Sequence, residues 1–193
     1  MGGGQVALRK VKVLLEHKAT VEVISPTLCP ELQRLARSGA IKVLQRNYQT
    51  GDLKSVFMVI AATGETDINK NIAEAARMQM ILINVADDPE QSDFIAPSYL
   101  RRGNLTIAVS TAGKSPALAQ KIRAKLEESV GEEYNSLTNL IGEVRSELRQ
   151  RGVIISSSAW QEALDLELLT EMVRAGQTKE AKATLLSRLE RLS

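Results

Sequence analysis

Apolar positions along the first 85 residues switch between two periods. Ala7, Val11, Leu14 and Leu15 recur at helical spacing and predict an amphipathic helix over residues 6–17. Val21-Glu22-Val23-Ile24 is a short β-branched run closed by Ser25-Pro26, the pattern of a strand. Leu32, Leu35 and Ala36 mark a second helix that Ser38-Gly39 stops, and Ile41-Lys42-Val43-Leu44 is the next strand. A polar loop runs through Gly51. Val56-Phe57-Met58-Val59-Ile60-Ala61 is continuously apolar, as a strand buried on both faces requires. Ile68, Ile72, Ala75 and Ala76 give another helix, and Ile81-Leu82-Ile83-Asn84-Val85 another buried strand. Such alternation predicts an α/β fold with a parallel sheet and right-handed crossovers.

The pattern changes after residue 86. Asp87 to Pro97 reads as a polar loop, and Leu105-Thr106-Ile107-Ala108-Val109-Ser110 as one more strand. Ser115-Pro116 opens a helix, with a serine cap and proline at the first helical position. Beyond it the chain reads as all-helical. Leu118, Ile122 and Leu126 line one helix; Leu137, Leu140, Ile141, Val144 and Leu148 line a second. Ala163, Leu164, Leu168 and Met172 line a third; Leu185, Leu186 and Leu189 line a fourth. Gly152 and Gly176 punctuate them.

Composition narrows the function classes. The 193 residues are 44% hydrophobic and 25% charged, ordinary for a globular protein. Aromatics make up 3%, too few for base-stacking platforms, and a net charge of +2 is too small to argue for nucleic acid. No apolar run approaches the roughly 18 residues of a membrane helix, and the start does not read as a signal peptide. The single cysteine, Cys29, excludes an internal disulfide and a cysteine-only metal site. The expectation is a cytoplasmic protein without membrane or nucleic-acid partners. His17 reads as a surface residue, Cys29 as a small buried hydrophobe and Trp160 as core packing in the helical tail.

Four stretches could carry chemistry. Gly2-Gly3-Gly4-Gln5-Val6-Ala7 reads as G-x-G-x-x-A running into a helix, a loop that brings backbone N–H groups and a helix N-terminus to a pyrophosphate. Gly2 and Gly4 are the positions of that motif expected at the cofactor. The strand that should precede such a loop has no counterpart before Met1; the expectation is a start placed late or a truncation, with weakened NAD affinity and stability. Many such domains hold the adenine ribose with an acidic residue after the second strand. Here Ser25-Pro26-Thr27 stand in that place, so the residues leave NAD versus NADP open. Ala61-Ala62-Thr63-Gly64, at a strand's carboxyl end, leave room for a cofactor or simply pack strand against helix. Asn84 and Asp87-Asp88 end the next strand on the same edge: a carboxylate there either acts as a general base or caps loop N–H groups. Ser110-Thr111-Ala112-Gly113-Lys114-Ser115-Pro116 combines hydroxyls, a lysine and a helix N-terminus, either a carboxylate cradle or ordinary capping. Arg101, Arg102, Lys121, Arg123 and Lys125 add positive charge nearby in sequence.

Taken together, the glycine loop, Ala61-Ala62-Thr63, Asn84-Val85-Ala86-Asp87-Asp88-Pro89, Phe94-Ile95-Ala96-Pro97-Ser98 and Ile107 to Pro116 resemble the siroheme synthase family in order and spacing. The resemblance implies NAD-dependent dehydrogenation of precorrin-2 to sirohydrochlorin, and in bifunctional members ferrous iron insertion, Fe2+ then being a substrate. Asp87 matches the family's catalytic aspartate. Gln5, Val6, Pro26 and Thr27 match cofactor-contacting positions, alongside Gly2, Gly4, Ser25 and Thr63; Asn84, Ser110, Thr111 and Lys114 are expected on the substrate. Arg101, Arg102 and Lys114 would form a basic rim for its carboxylates. Thr111 stands where some members have serine. The implied organisation is a Rossmann-like NAD-binding domain over 1–96, a dimerisation segment over 97–129 and a helical domain over 130–193, assembled as a homodimer without the methyltransferase module some members carry. The competing expectation is a non-catalytic NAD-sensing dimer.

Overall fold

The computed structural model describes residues 1–192, which fall into two compact units, Met1–Ala96 and Pro97 onward. The first unit alternates helix and strand: α1 (Gln5–Glu16), β1 (Glu22–Ile24), α2 (Pro30–Arg37), β2 (Lys42–Leu44), β3 (Met58–Ala61), α3 (Thr66–Met78) and β4 (Leu82–Val85), with a 3-10 turn at Thr50–Leu53. β1 pairs parallel with β2, Val23 opposite Val43, and β3 pairs parallel with β4, Val59 opposite Ile83. The apolar faces bury as their periodicity demands. Ala7, Leu8 and Val11 of α1 pack with Val23 and Leu32 on the β1–β2 side, and Ile72, Ala73 and Ala76 of α3 pack with Val59, Ala61 and Ile83 on the β3–β4 side.

Met1 and Gly2 stand between the two pairs. The Met1 α-amine donates to Ile60 O at 2.7 Å, and Ala62 N–H donates to Met1 O at 2.9 Å. Gly2 N–H donates to Ile24 O at 3.0 Å. The resulting order is β2-β1-(Met1-Gly2)-β3-β4, the order of a dinucleotide-binding sheet. The parallel sheet expected without its first strand is seen as two parallel pairs. Two residues at the centre tie the pairs together only at their carboxyl ends, where the cofactor loops lie. The apolar run at 56–61 also starts its strand late, at Met58: Ser55 takes a left-handed turn at φ 66° and Phe57 is 82% exposed.

The second unit opens with an antiparallel hairpin, β5 (Ser98–Arg102) and β6 (Leu105–Val109), around Gly103-Asn104. α4 (Pro116–Ser129) lies against both strands. The tail holds α5 (Glu133–Gln150), α6 (Ser157–Ala163), α7 (Leu166–Arg174) and α8 (Thr178–Arg191). Leu137, Leu140, Val144 and Leu148 of α5 share one core with Ala163, Leu169, Ala181, Leu185 and Leu189, and Trp160 packs at its margin. The third tail helix is corrected to two. Asp165 breaks it because its carboxylate accepts from Leu168 N–H at 3.1 Å and caps α7. No described helix is long and apolar enough to cross a membrane.

Candidate functional site

The glycine loop is built by close approach. Gly2 takes φ 103°, and a Cβ there would fall 2.2 Å from Ala62 O; a Cβ on Gly3 would fall 1.9 Å from Thr27 O. Only residues without side chains let the loop seat between the two strand ends. Cys29 N–H donates to Gly3 O at 2.8 Å, tying the loop to the start of α2, where the cysteine is half-buried. Gly4 differs: a Cβ there would meet nothing within 4 Å, so the space above it is open.

Gly4 is also the N-cap of α1, which has no side-chain cap and no acidic residue in its first turn. The first intrahelical bond is Leu8 N–H to Gly4 O at 3.0 Å, so the N–H groups of Gln5, Val6 and Ala7 precede the hydrogen-bond ladder. Free amide donors, the positive end of the helix dipole and open space make an anion cradle. Gln5 is exposed and Val6 half-buried at its rim. These residues fit a dinucleotide pyrophosphate.

The loops flanking the cradle are internally braced. Ser25 is 7% exposed and its hydroxyl donates to Thr27 O at 2.8 Å, so it props the turn, whereas Pro26 and Thr27 are exposed above it. On the other side, Thr63 is held by Asn69. The Asn69 Oδ1 accepts from Thr63 Oγ1 at 2.7 Å and from Thr63 N–H at 3.2 Å, and its Nδ2 donates to Thr63 O at 3.2 Å. Sequence reading missed Asn69. Its signal was a polar residue on the buried stripe Asn69, Ile72, Ala73, Ala76 of α3.

Asp87 follows β4 on the same carboxyl edge. Ala86 N–H donates to Ala61 O at 2.8 Å, and Asp87 is left-handed at φ 63°, a conformation aspartate adopts more readily than most residues. Asp88 behaves as a loop-capping carboxylate, accepting from Gln91 N–H at 3.2 Å. Asp87 is exposed and, among the described residues, its carboxylate accepts no hydrogen bond. The ammonium of Lys10 on α1 feels it. Burial and the neighbouring Arg9 lower the Lys10 pKa, and the Asp87 charge opposes them. Asp87 therefore lies within electrostatic reach of the helix that carries the cradle. Asn84 is 6% exposed; its Nδ2 donates to Phe94 O at 2.9 Å, and its Oδ1 is buried without a partner.

Ser110, Thr111 and Lys114 belong to the second unit. Ser110 Oγ accepts from Ala112 N–H at 3.2 Å, Thr111 Oγ1 from Ser115 N–H at 3.0 Å, and Ser115 Oγ from Leu118 N–H at 3.2 Å to cap α4. Ala112 and Gly113 are both left-handed, and Lys114 is exposed. Capping thus accounts for the hydroxyls but not for the lysine. Arg102 is corrected as a rim residue. It is spent inside its own unit, donating to Val130 O at 3.1 Å and pairing with Glu132 at 3.3 Å.

A parallel-sheet unit whose glycine loop, bare helix N-terminus and braced strand ends converge defines a dinucleotide-binding protein. Comparison with known proteins agrees. The family model described as "Putative NAD(P)-binding" matches residues 1–98, and the model "Sirohaem biosynthesis protein central" matches residues 102–129. The chain belongs to this NAD(P)-binding family and corresponds to the N-terminal region of siroheme synthases. It is 38% identical to the siroheme synthase of Nitrosococcus oceani and 37% identical to that of Thioalkalivibrio sulfidiphilus, each over 192 residues. Those alignments cover 98% of this chain but 41% and 39% of the relatives, so the chain spans about two-fifths of their length. Among solved structures it is similar to "SirC, precorrin-2 dehydrogenase", with a TM-score of 0.69 and 26% identity, over 98% of this chain and 92% of that one.

Proposed function

We propose that this chain is an NAD-dependent precorrin-2 dehydrogenase of siroheme biosynthesis. The observation that carries the reading is the pairing of an open pyrophosphate cradle at Gly4 with an exposed carboxylate, Asp87, held on the same sheet edge in a left-handed turn. A non-catalytic sensor needs the cradle but not an exposed carboxylate without a hydrogen-bond partner beside it. The similarity to a precorrin-2 dehydrogenase over nearly the whole of both chains supplies the substrate.

Gly2, Gly4, Gln5, Val6, Pro26, Thr27 and Thr63 hold the cofactor in this reading, with Ser25 bracing Thr27 beneath it. Bound NAD+ supplies the acceptor for a hydride from the tetrapyrrole. Asp87 takes the accompanying proton, so the substrate loses two hydrogens: one as hydride, one as a proton on the carboxylate. Asn84, buried at the end of β4 on the edge that carries Asp87, is assigned to the substrate side of the site. Lys114 offers an ammonium to substrate carboxylates, with Ser110 and Thr111 on the substrate side shaping the turn that presents it. Ferrous iron insertion into the product calls for the same carboxylate to accept pyrrole protons, with Fe2+ as substrate.

We read residues 97–129 as a dimerisation segment and the working protein as a homodimer. Leu118 and Ile122, one turn apart on α4, are 50% and 40% exposed. A second copy of the chain would cover that stripe.

Asp87→Ala tests the assignment. Turnover of precorrin-2 should fall at least about 100-fold, with NAD+ affinity unchanged. Wild-type turnover in that variant would remove Asp87 from the reaction.

A further inference from the structure

Asp87 sits in a turn whose ends are Val85 and Asp88, closed by Asp88 N–H donating to Val85 O at 3.3 Å. Asp87 takes a left-handed φ of 63°, a conformation aspartate adopts more readily than most residues, and where its carboxylate points is set by what holds the two ends of the turn. One side chain touches both of its ends. Ser92 Oγ accepts from Val85 N–H at 2.9 Å and lies 3.2 Å from Val85 O and 2.8 Å from Asp88 O. Asn84 Nδ2 also approaches it, at 3.5 Å.

The register of β4 explains why a hydroxyl is needed there. Ala86 N–H reaches back to β3, so the alternate residues Ile83 and Val85 turn their backbone groups to the outer edge. No strand covers that edge among the described residues. Asp93 serves Ile83: its carboxylate accepts from Ile83 N–H at 3.0 Å, and its own N–H donates to Ile83 O at 2.8 Å. Ser92 serves Val85 and simultaneously reaches the far end of the turn. A hydroxyl has one proton and two acceptor sites, enough to accept from Val85 N–H and donate to one of the two carbonyls. Alanine in its place leaves Val85 N–H unpaired at the root of the turn and frees Asp88 O.

We propose that Ser92 is the positioning residue for Asp87, its hydroxyl pinning both ends of the Val85–Asp88 turn and so fixing the carboxylate in its left-handed pose. Ser92 acts only through Asp87, so this role rests on Asp87 being the proton acceptor.

The test compares Ser92→Ala, Ser92→Thr and Asp87→Ala in the full chain, with precorrin-2 and NAD+ under anaerobic conditions. Ser92→Ala should lower kcat about tenfold or more while leaving KM and Kd for NAD+ unchanged, and the Val85 amide should exchange faster. Ser92→Thr, which keeps the hydroxyl, should recover most of the turnover. If Ser92→Ala does not fold, Ser92→Cys, slightly larger but of the same branching, weakens the hydrogen bonds and carries the same expectation. Unchanged kcat in the serine variants, beside an inactive Asp87→Ala, would overturn the positioning role and leave Asp87 standing. A lowered Tm with unchanged kcat would overturn it equally. Full turnover in Asp87→Ala would remove the role of Asp87, and that of Ser92 with it.

Discussion

At the scale of single residues, the cofactor cradle is set by absent side chains and the loops beside it by braced ones. Gly3 shows the first most sharply. Its missing Cβ leaves room for Thr27 O, and the alternative contact, Ser25 Oγ at 2.9 Å, is itself fixed on Thr27 O. Gly3→Ala should therefore cost on the order of 1–3 kcal/mol of stability and weaken NAD+ binding, because either the cradle or the Ser25–Thr27 turn must move. Chemical denaturation and a binding titration check this, and a variant as stable and as tight as the parent would contradict it. The glycines were legible in the sequence because the motif states a backbone requirement directly. Asn69 and Ser92 were not. Each acts by bonding backbone groups that only the folded turn brings within reach, and a serine in a polar loop carries no periodicity to betray it.

At the scale of elements, Met1 and Gly2 lie between the two strand pairs, and in a chain whose first residue is Met1 this has a consequence for pH. Met1 is half-buried as a whole, but its α-amine points inward to Ile60 O, and burial lowers the amine pKa from 8.0 to about 6. The unfolded chain therefore binds this proton more tightly than the folded one between about pH 6 and 8. Stability should rise with pH across that window, by about 2–3 kcal/mol in total, and level off above it. Thermal unfolding of the 193-residue chain at stepped pH reads this directly; a flat Tm, or the same slope in an N-acetylated chain, would contradict it. Strongly periodic elements such as α1, α3 and α5 were legible from their apolar stripes. β5 was not, because only Leu100 of its five residues is buried and the run Ser98-Tyr99-Leu100-Arg101-Arg102 looks like loop. The break between α6 and α7 was hidden because apolar spacing continues through it while Asp165 turns to cap the next helix.

At the scale of the whole molecule, the α/β unit supplies a dinucleotide site and an exposed acid in a left-handed turn, and the second unit supplies a hairpin, α4 with an uncovered apolar stripe, and a helical core. If that stripe is a subunit interface, Leu118→Glu with Ile122→Glu should convert a dimer into a monomer in sedimentation analysis; a parent chain that is already monomeric would contradict the assignment. Neither the stripe nor the cradle, taken alone, distinguishes an enzyme from a sensor. The direct discriminator is chemistry. Incubating the purified chain anaerobically with precorrin-2 and NAD+ should produce NADH and the sirohydrochlorin spectrum together, in equal amounts. NAD+ binding with no NADH and no change in the tetrapyrrole spectrum would contradict the central claim.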